Sequence, residues 1–282
     1  MDEVIKIVLE RNSERKLLTV DDVKKICFTI LKKNGYNFVK NVIVFDKNPN
    51  DEDCAGVYHE ENIFFFYDVV INMLESSVER FNQTYQVDES SVDVYNYFYL
   101  GIIFHELAHV RQYSIMNSKR SSLEKKLFTI FINLSHNRDF YDENYSDILT
   151  EVNANNVSLV TTNYIYSKLP KNFFTQNDRT IYQSLFLRMI LYDNYEIAPK
   201  KDEIISPAER VVSKFDEEIL FYLDTDLEHC LKLIYDNNLT IYKKLMLGLP
   251  ISYQEYAYCN LLDGRIEVEE EINAVKKLQK RI

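Results

Sequence analysis

The sequence predicts a mostly helical α+β fold, and three observations carry that expectation. Gly and Pro number only 5 each among 282 residues, too few for the tight turns of an all-β sandwich or barrel. Apolar residues recur at helical spacing along most of the chain, whereas only three short stretches between residues 38 and 67 are β-branched and aromatic in the manner of strands. The hydrophobic share of 46% and the charged share of 27% are those of a globular chain with a sizeable core. Disorder, collagen and a coiled coil are thereby excluded as descriptions of the whole chain. Trp is absent, so 21 Tyr and 17 Phe supply the bulk of the large side chains.

Residues 2–11 read as a short helix. Thr19 with Asp22 three residues later has the pattern of a capping box, and Gly35 stands where a C-terminal cap belongs. Between them, residues 20–33 form an amphipathic helix with Val23, Cys27, Ile30 and Leu31 on one face. Residues 38–45 (FVKNVIVF) read as a strand, and the polar stretch 46–53, with Pro49, as a loop. Residues 55–59 and 63–67 are apolar segments separated by Glu60, Glu61 and Asn62, which suggests a β-hairpin. From there on the pattern is helical, over 68–81, 92–115, 123–134, 146–164 and 179–192, with a break at Pro170. The stretch 92–115 is apolar enough for a buried helix.

The polar segment 193–205, with Pro199, is the best linker candidate. It divides the chain into an N-terminal domain, 1–195, and a helical C-terminal region, 200–282. In the latter, Ser206-Pro207-Ala208-Glu209 and the Ser252/Glu255 pair are helix starts. The last helix, from residue 266, runs from acidic to basic, as a solvated helix does to match its dipole.

Charge and composition limit the function classes. With 33 basic against 44 acidic residues, net −11, no basic stripe exists to neutralise phosphates, so no nucleic-acid partner is expected. No run of about 18 apolar residues occurs, so no membrane span is expected. The start, Met-Asp-Glu-Val-Ile-Lys, lacks the basic and apolar regions of a signal peptide. Cys27, Cys54, Cys230 and Cys259 show no CxxC pairing and read as reduced thiols of a cytoplasmic protein.

One motif carries chemistry. Residues 104–112 read Phe-His-Glu-Leu-Ala-His-Val-Arg-Gln, which contains His-Glu-x-x-His inside the most apolar helical segment. On a helix, His105 and His109 share a face and can aim imidazole nitrogens at one metal ion. Glu106, one residue round, can reach a water there and act as general base. Two histidines and a glutamate in a buried helix need polar partners, which a zinc ion and its water would supply. Zinc requires a third protein ligand and an open fourth position. Gln112 and Ile115 stand where an extended three-histidine motif needs Gly and His, so a third histidine there is excluded. The best candidate is Glu151, in Thr150-Glu151-Val152-Asn153-Ala154-Asn155, with small Ala154 allowing close approach of its helix. Glu124, Glu143, Asp147 and His136 are its rivals. Tyr141, Tyr145, His136 and Arg138 are candidates to stabilise an oxyanion, while His59 and His229 read as surface histidines.

HELAH on a buried helix, followed by a helix opening Glu-Val-Asn-Ala-Asn, resembles the Glu-liganded zincins, and distantly the compact ImmA/IrrE-type metallopeptidase-like domains. Ala55-Gly56-Val57-Tyr58 ahead of the active helix is similar to the strand start of that group, and Glu151 and Ala154 match its E-x-x-A pattern. The resemblance covers roughly residues 38–165. It implies a zincin-like fold: a small N-terminal sheet, an active-site helix carrying HExxH and a helical C-terminal region. It also implies His105, His109 and Glu151 as zinc ligands and Glu106 as base. The expected function is zinc-dependent hydrolysis of a peptide or protein substrate. A sheet edge, either 55–59 or 63–67, would then pair with the extended substrate. The alternative is a regulatory or interaction protein that keeps the fold around a structural or sensing zinc. The size of the helical C-terminal half favours that alternative, and Glu106 favours the enzyme.

Overall fold

A computed structural model describes residues 2–47, 55–59, 61–85, 92–119, 148–170, 237–245 and 249–261, together with the helical residues 125–126, 128–129 and 131–132. The chain is mostly helical with a small three-stranded sheet. The elements that position the site are α1 (Asp2–Glu14), α2 (Val20–Asn34), β1 (Asn41–Phe45), β2 (Gly56–His59), β3 (Asn62–Phe66), α3 (Tyr67–Tyr85), α4 (Val92–Met116), α5 (Leu149–Ser167) and α6 (Tyr253–Cys259). Residues 237–245 are also helical.

Local chemistry explains the helix ends. Thr19 caps α2 in a reciprocal box with Asp22, whose Oδ2 accepts from the Thr19 N–H at 2.9 Å. At the other end Gly35 adopts φ 70°, a left-handed conformation that glycine takes without a Cβ penalty, and Tyr36 N–H donates to the Leu31 carbonyl. Ser252 and Glu255 form a second reciprocal box at α6. α5 begins at Leu149, with Ile148 as a cap that makes no side-chain hydrogen bond. The expected start at 146 is therefore three residues early. What holds this end is burial rather than a polar cap, since Ile148, Leu149 and Thr150 are all buried.

The sheet order is β1-β3-β2, with β1 parallel and β2 antiparallel to β3. The hairpin read from the sequence is thus β2–β3, with Glu61 at φ 65° in its turn. The first strand is shorter than the expected 38–45, because residues 38–40 precede the paired register that starts at Asn41 opposite Asn62. Since β3 is central, the segment 63–67 is not a sheet edge, and Tyr67 already opens α3. Among the described residues β2 is an edge, and it lies beside α4.

Among the described residues the core is built around the pair α4 and α5. Both are buried around nearly their whole circumference; α4 is largely apolar on all sides, whereas α5 also buries Thr150, Glu151, Asn153, Asn155, Asn156, Ser158, Thr161 and Thr162. They run antiparallel. Tyr166 hydroxyl donates to the Asp93 carbonyl at 3.0 Å, Tyr97 hydroxyl to Asn163 Oδ1 at 2.7 Å, Ser158 hydroxyl to the Gly101 carbonyl at 2.5 Å, and Gln112 to the Thr150 carbonyl at 2.8 Å. These four bonds pair polar groups across the interface, whereas the Tyr99 hydroxyl, His105 Nδ1, Asn155 Oδ1, Asn156 Oδ1 and the Thr162 hydroxyl are buried with no hydrogen-bond partner among the described residues. Residues 237–245 and 249–261, from the expected C-terminal region, pack on the same pair: Arg111 donates to the Tyr258 carbonyl and Asn156 to the Asn238 carbonyl. The expected linker 193–205 and the expected helices 179–192, 206 onward and 266 onward lie outside the described residues. Among the described residues, no helix is long and apolar enough to cross a membrane.

Candidate metal centre

His105 and His109 project from the middle of α4, one turn apart, with their rings edge to face. Their Nε2 atoms stand 3.0 Å apart. Glu151 enters from the first turn of α5, with Oε2 at 3.3 Å from His105 Nε2 and 3.5 Å from His109 Nε2. The antiparallel packing brings the start of α5 level with this part of α4, and that is what closes the site. His105 and Glu151 are buried, and His109 keeps 21% of its side chain exposed. The three residues form a group suited to hold a metal ion.

The donor geometry fits a small divalent ion. From the three separations, the point equidistant from the donor atoms lies about 1.9 Å from each, just inside zinc–ligand bonds of about 2.0–2.2 Å. The three donors therefore span one face of a coordination shell, and among the described residues no fourth His, Cys, Asp or Glu joins them. Two imidazoles and one carboxylate are also a donor set that zinc accepts.

The charges on these groups are strongly linked. Burial opposes the charged form of Glu151, yet His109 and His105 hold its carboxyl far below the usual carboxylate range. Burial also opposes a charged His109, but Glu151, with Glu106 and Gln112, lifts that imidazole to about 9. Without a metal, a proton on His109 thus balances the carboxylate.

Glu106 is 6% exposed. Burial pushes its carboxyl above the ordinary value, while the imidazoles and a hydrogen bond from the Tyr58 backbone N–H pull against that rise. The strand pairing explains the hydrogen bond. Phe66 N–H donates to the Ala55 carbonyl, so residues 55, 57 and 59 face β3 along the ladder. Gly56 and Tyr58 then turn their backbone groups the other way, toward α4. The approach is close enough to require glycine: a Cβ on Gly56 would meet Glu106 Cγ at 2.9 Å and Cδ at 3.2 Å. β2 therefore both orients Glu106 and covers it.

Of the residues singled out from the sequence, the structure brings together His105, His109 and Glu151, with Glu106 beside them. His59 is exposed at the end of β2. The rival ligands Glu124, Glu143, Asp147 and His136, the oxyanion candidates Tyr141, Tyr145 and Arg138, and His229 lie outside the described residues. Cys27 and Cys259 are buried, and Cys54 and Cys230 also lie outside. Sequence reasoning missed Gln112, which it used only to exclude a third histidine. Its Oε1 lies 3.0 Å from His109 Nδ1. The available signal was its position three residues after His109, on the same helical face. It missed Gly56 as well, whose role depends on a strand meeting a helix.

Comparison of the chain with protein-family models, with curated proteins and with solved structures yields no match.

Proposed function

We propose that the protein is a zinc-dependent peptidase of the Glu-liganded zincin type, with a zincin-like fold, His105, His109 and Glu151 as zinc ligands and Glu106 as general base. The observation that carries this reading is the placement of Glu106. It is a buried carboxylate beside a centre with three protein donors among the described residues. A purely structural zinc is normally closed by four protein ligands and needs no such base. When bound, the ion supplies Lewis acidity that polarises a substrate carbonyl and acidifies a water.

The chain's own groups do the rest. Glu106, its carboxyl raised by burial, takes a proton from the attacking water and passes it to the leaving amine nitrogen. Tyr58 N–H and the Gly56 backbone keep that carboxylate in one orientation. Among the described residues β2 is the strand edge next to Glu106, the side of the sheet on which an extended peptide would lie near the centre.

The test is Glu106→Gln, which keeps size and hydrogen bonding but takes no proton. With a peptide library as substrate, hydrolysis is expected to fall at least about 100-fold while zinc content and fold are retained. Equal cleavage by the variant refutes the mechanism. Stoichiometric zinc without any cleavage by the wild type would instead favour a structural or sensing zinc.

A further inference from the structure

We infer that Gln112 is a positioning residue that ties the metal affinity of His109 to the docking of residues 237–245 and 249–261 on α4 and α5. The inference rests on the metal-centre reading above and extends it to regions remote from the ligands. Gln112 is 1% exposed. Its Nε2 donates to the Thr150 carbonyl at 2.8 Å, an oxygen that only accepts, so the amide has one orientation. Oε1 is then the atom that faces His109 Nδ1 at 3.0 Å. Because that oxygen also only accepts, Nδ1 must carry the proton, and Nε2 is the nitrogen left to bind a metal.

The same Gln112 nitrogen donates to Asn153 Oδ1 at 3.1 Å. Asn153 donates in turn from Nδ2 to Asn238 Oδ1 at 3.0 Å and to the Tyr258 hydroxyl at 3.3 Å. Each amide thus accepts on its oxygen and donates from its nitrogen, in one direction from His109 outward. In such a chain each bond polarises the next. Asn156 fixes the far end by donating to the Asn238 carbonyl at 2.7 Å. Arg111 does the same at Tyr258, donating to its carbonyl at 2.8 Å and lying over its ring at 5.4 Å. With the segment docked, Asn153, Asn238 and Tyr258 are each no more than 2% exposed, so a partner removed there by substitution is not replaced by water. Undocking of 237–245 and 249–261 removes both acceptors of Asn153 Nδ2. The Asn153 amide is then released, and with it the restraint on Gln112.

Packing α4 against α5 needs none of this directionality, and a test can separate the two roles. Zinc affinity is measured by chelator competition on the full chain for the wild type, Gln112→Met, Tyr258→Phe, Asn238→Ala and the two double variants with Gln112→Met. Gln112→Met is expected to weaken zinc binding about 10–100-fold. Tyr258→Phe and Asn238→Ala are each expected to weaken it about threefold or more, and by less than about 1.5-fold once Gln112 is Met. In the metal-free protein, a slowly exchanging His109 Nδ1–H resonance is expected in the wild type. It should exchange faster in Tyr258→Phe and be lost in Gln112→Met. Wild-type zinc affinity in Gln112→Met, or additive single and double effects, overturns the inference, and a lowered thermal midpoint alone marks a packing role. Tyr258→Phe removes one oxygen and keeps the ring over Arg111, so it decides the matter if Gln112→Met does not fold. A wild type that binds no zinc, or a His105→Ala that binds it equally well, overturns the metal centre itself. The metal-free His109 resonance then still decides whether Gln112 holds that ring.

Discussion

Raising the pH of the metal-free protein from 6.5 to 9.5 should cost it stability, because His109 then gives up the proton that balances Glu151. The imidazole is lifted from 6.5 to about 9 in the folded chain. A base with a raised folded pKa contributes stability that is fully present below its unfolded value. That stability is lost as pH rises through the folded value. The window is therefore about 6.5 to 9, and the loss is about 2–3 kcal/mol after allowing for the partial exposure of the ring. Glu106, whose carboxyl is also raised, acts with the same sign. The assay is urea denaturation of chelator-treated protein at both pH values, with His109→Gln alongside. The variant cannot titrate at this position, so the difference between the two slopes isolates His109. The same proton competes with metal, so zinc affinity should rise up to about tenfold per pH unit through the window and level off above it. The reasoning is refuted if wild type and His109→Gln lose stability equally, or if zinc affinity is flat between pH 7 and 9.

Three further outcomes follow from the same geometry. Purified wild-type protein should carry close to one zinc per chain by elemental analysis, and His105→Ala or His109→Ala should each lose most of it, because two remaining ligands rarely hold zinc. Gly56→Ala should leave zinc content intact but cut hydrolysis about tenfold or more, since the added Cβ would meet Glu106 Cγ at 2.9 Å and displace the base; unchanged turnover would show that Glu106 is not held there by β2. Asp22→Ala should destabilise the chain by about 2 kcal/mol at pH 7, since Asp22 accepts from Thr19 and from Arg11 Nε at 2.6 Å. Its carboxyl is held low despite partial burial, so that contribution is lost as pH falls below about 4, and denaturation curves of variant and wild type should converge in acid.

Much of the fold was legible because its signals are local. The Thr19/Asp22 and Ser252/Glu255 boxes and Gly35 mark helix ends through atoms no more than a few residues apart, and all three form. The hairpin was legible from its apolar runs and polar turn. The parallel pairing of β1 with β3 was not, since it joins residues with no shared local pattern. The start of α5 was misplaced because its cap residue, Ile148, is held by burial and makes no capping hydrogen bond. That is a tertiary effect with no local signature.

The division at the candidate centre follows the same logic. Helical periodicity alone sets His105 and His109 on one face and Glu106 beside them, because four residues make about one turn. Helix packing decides the rest. Glu151 reaches the two imidazoles only because α5 lies antiparallel on α4 at the level where Ser158 meets Gly101 and Gln112 meets Thr150. Gln112 becomes the partner of His109 Nδ1 only because the Thr150 carbonyl fixes its amide. Gly56 matters only because β2 comes within van der Waals reach of Glu106. Each of these depends on atoms far apart in sequence and close in space. Such contacts are set by how buried surfaces fit together, whereas the sequence by itself encodes the spacing along each element.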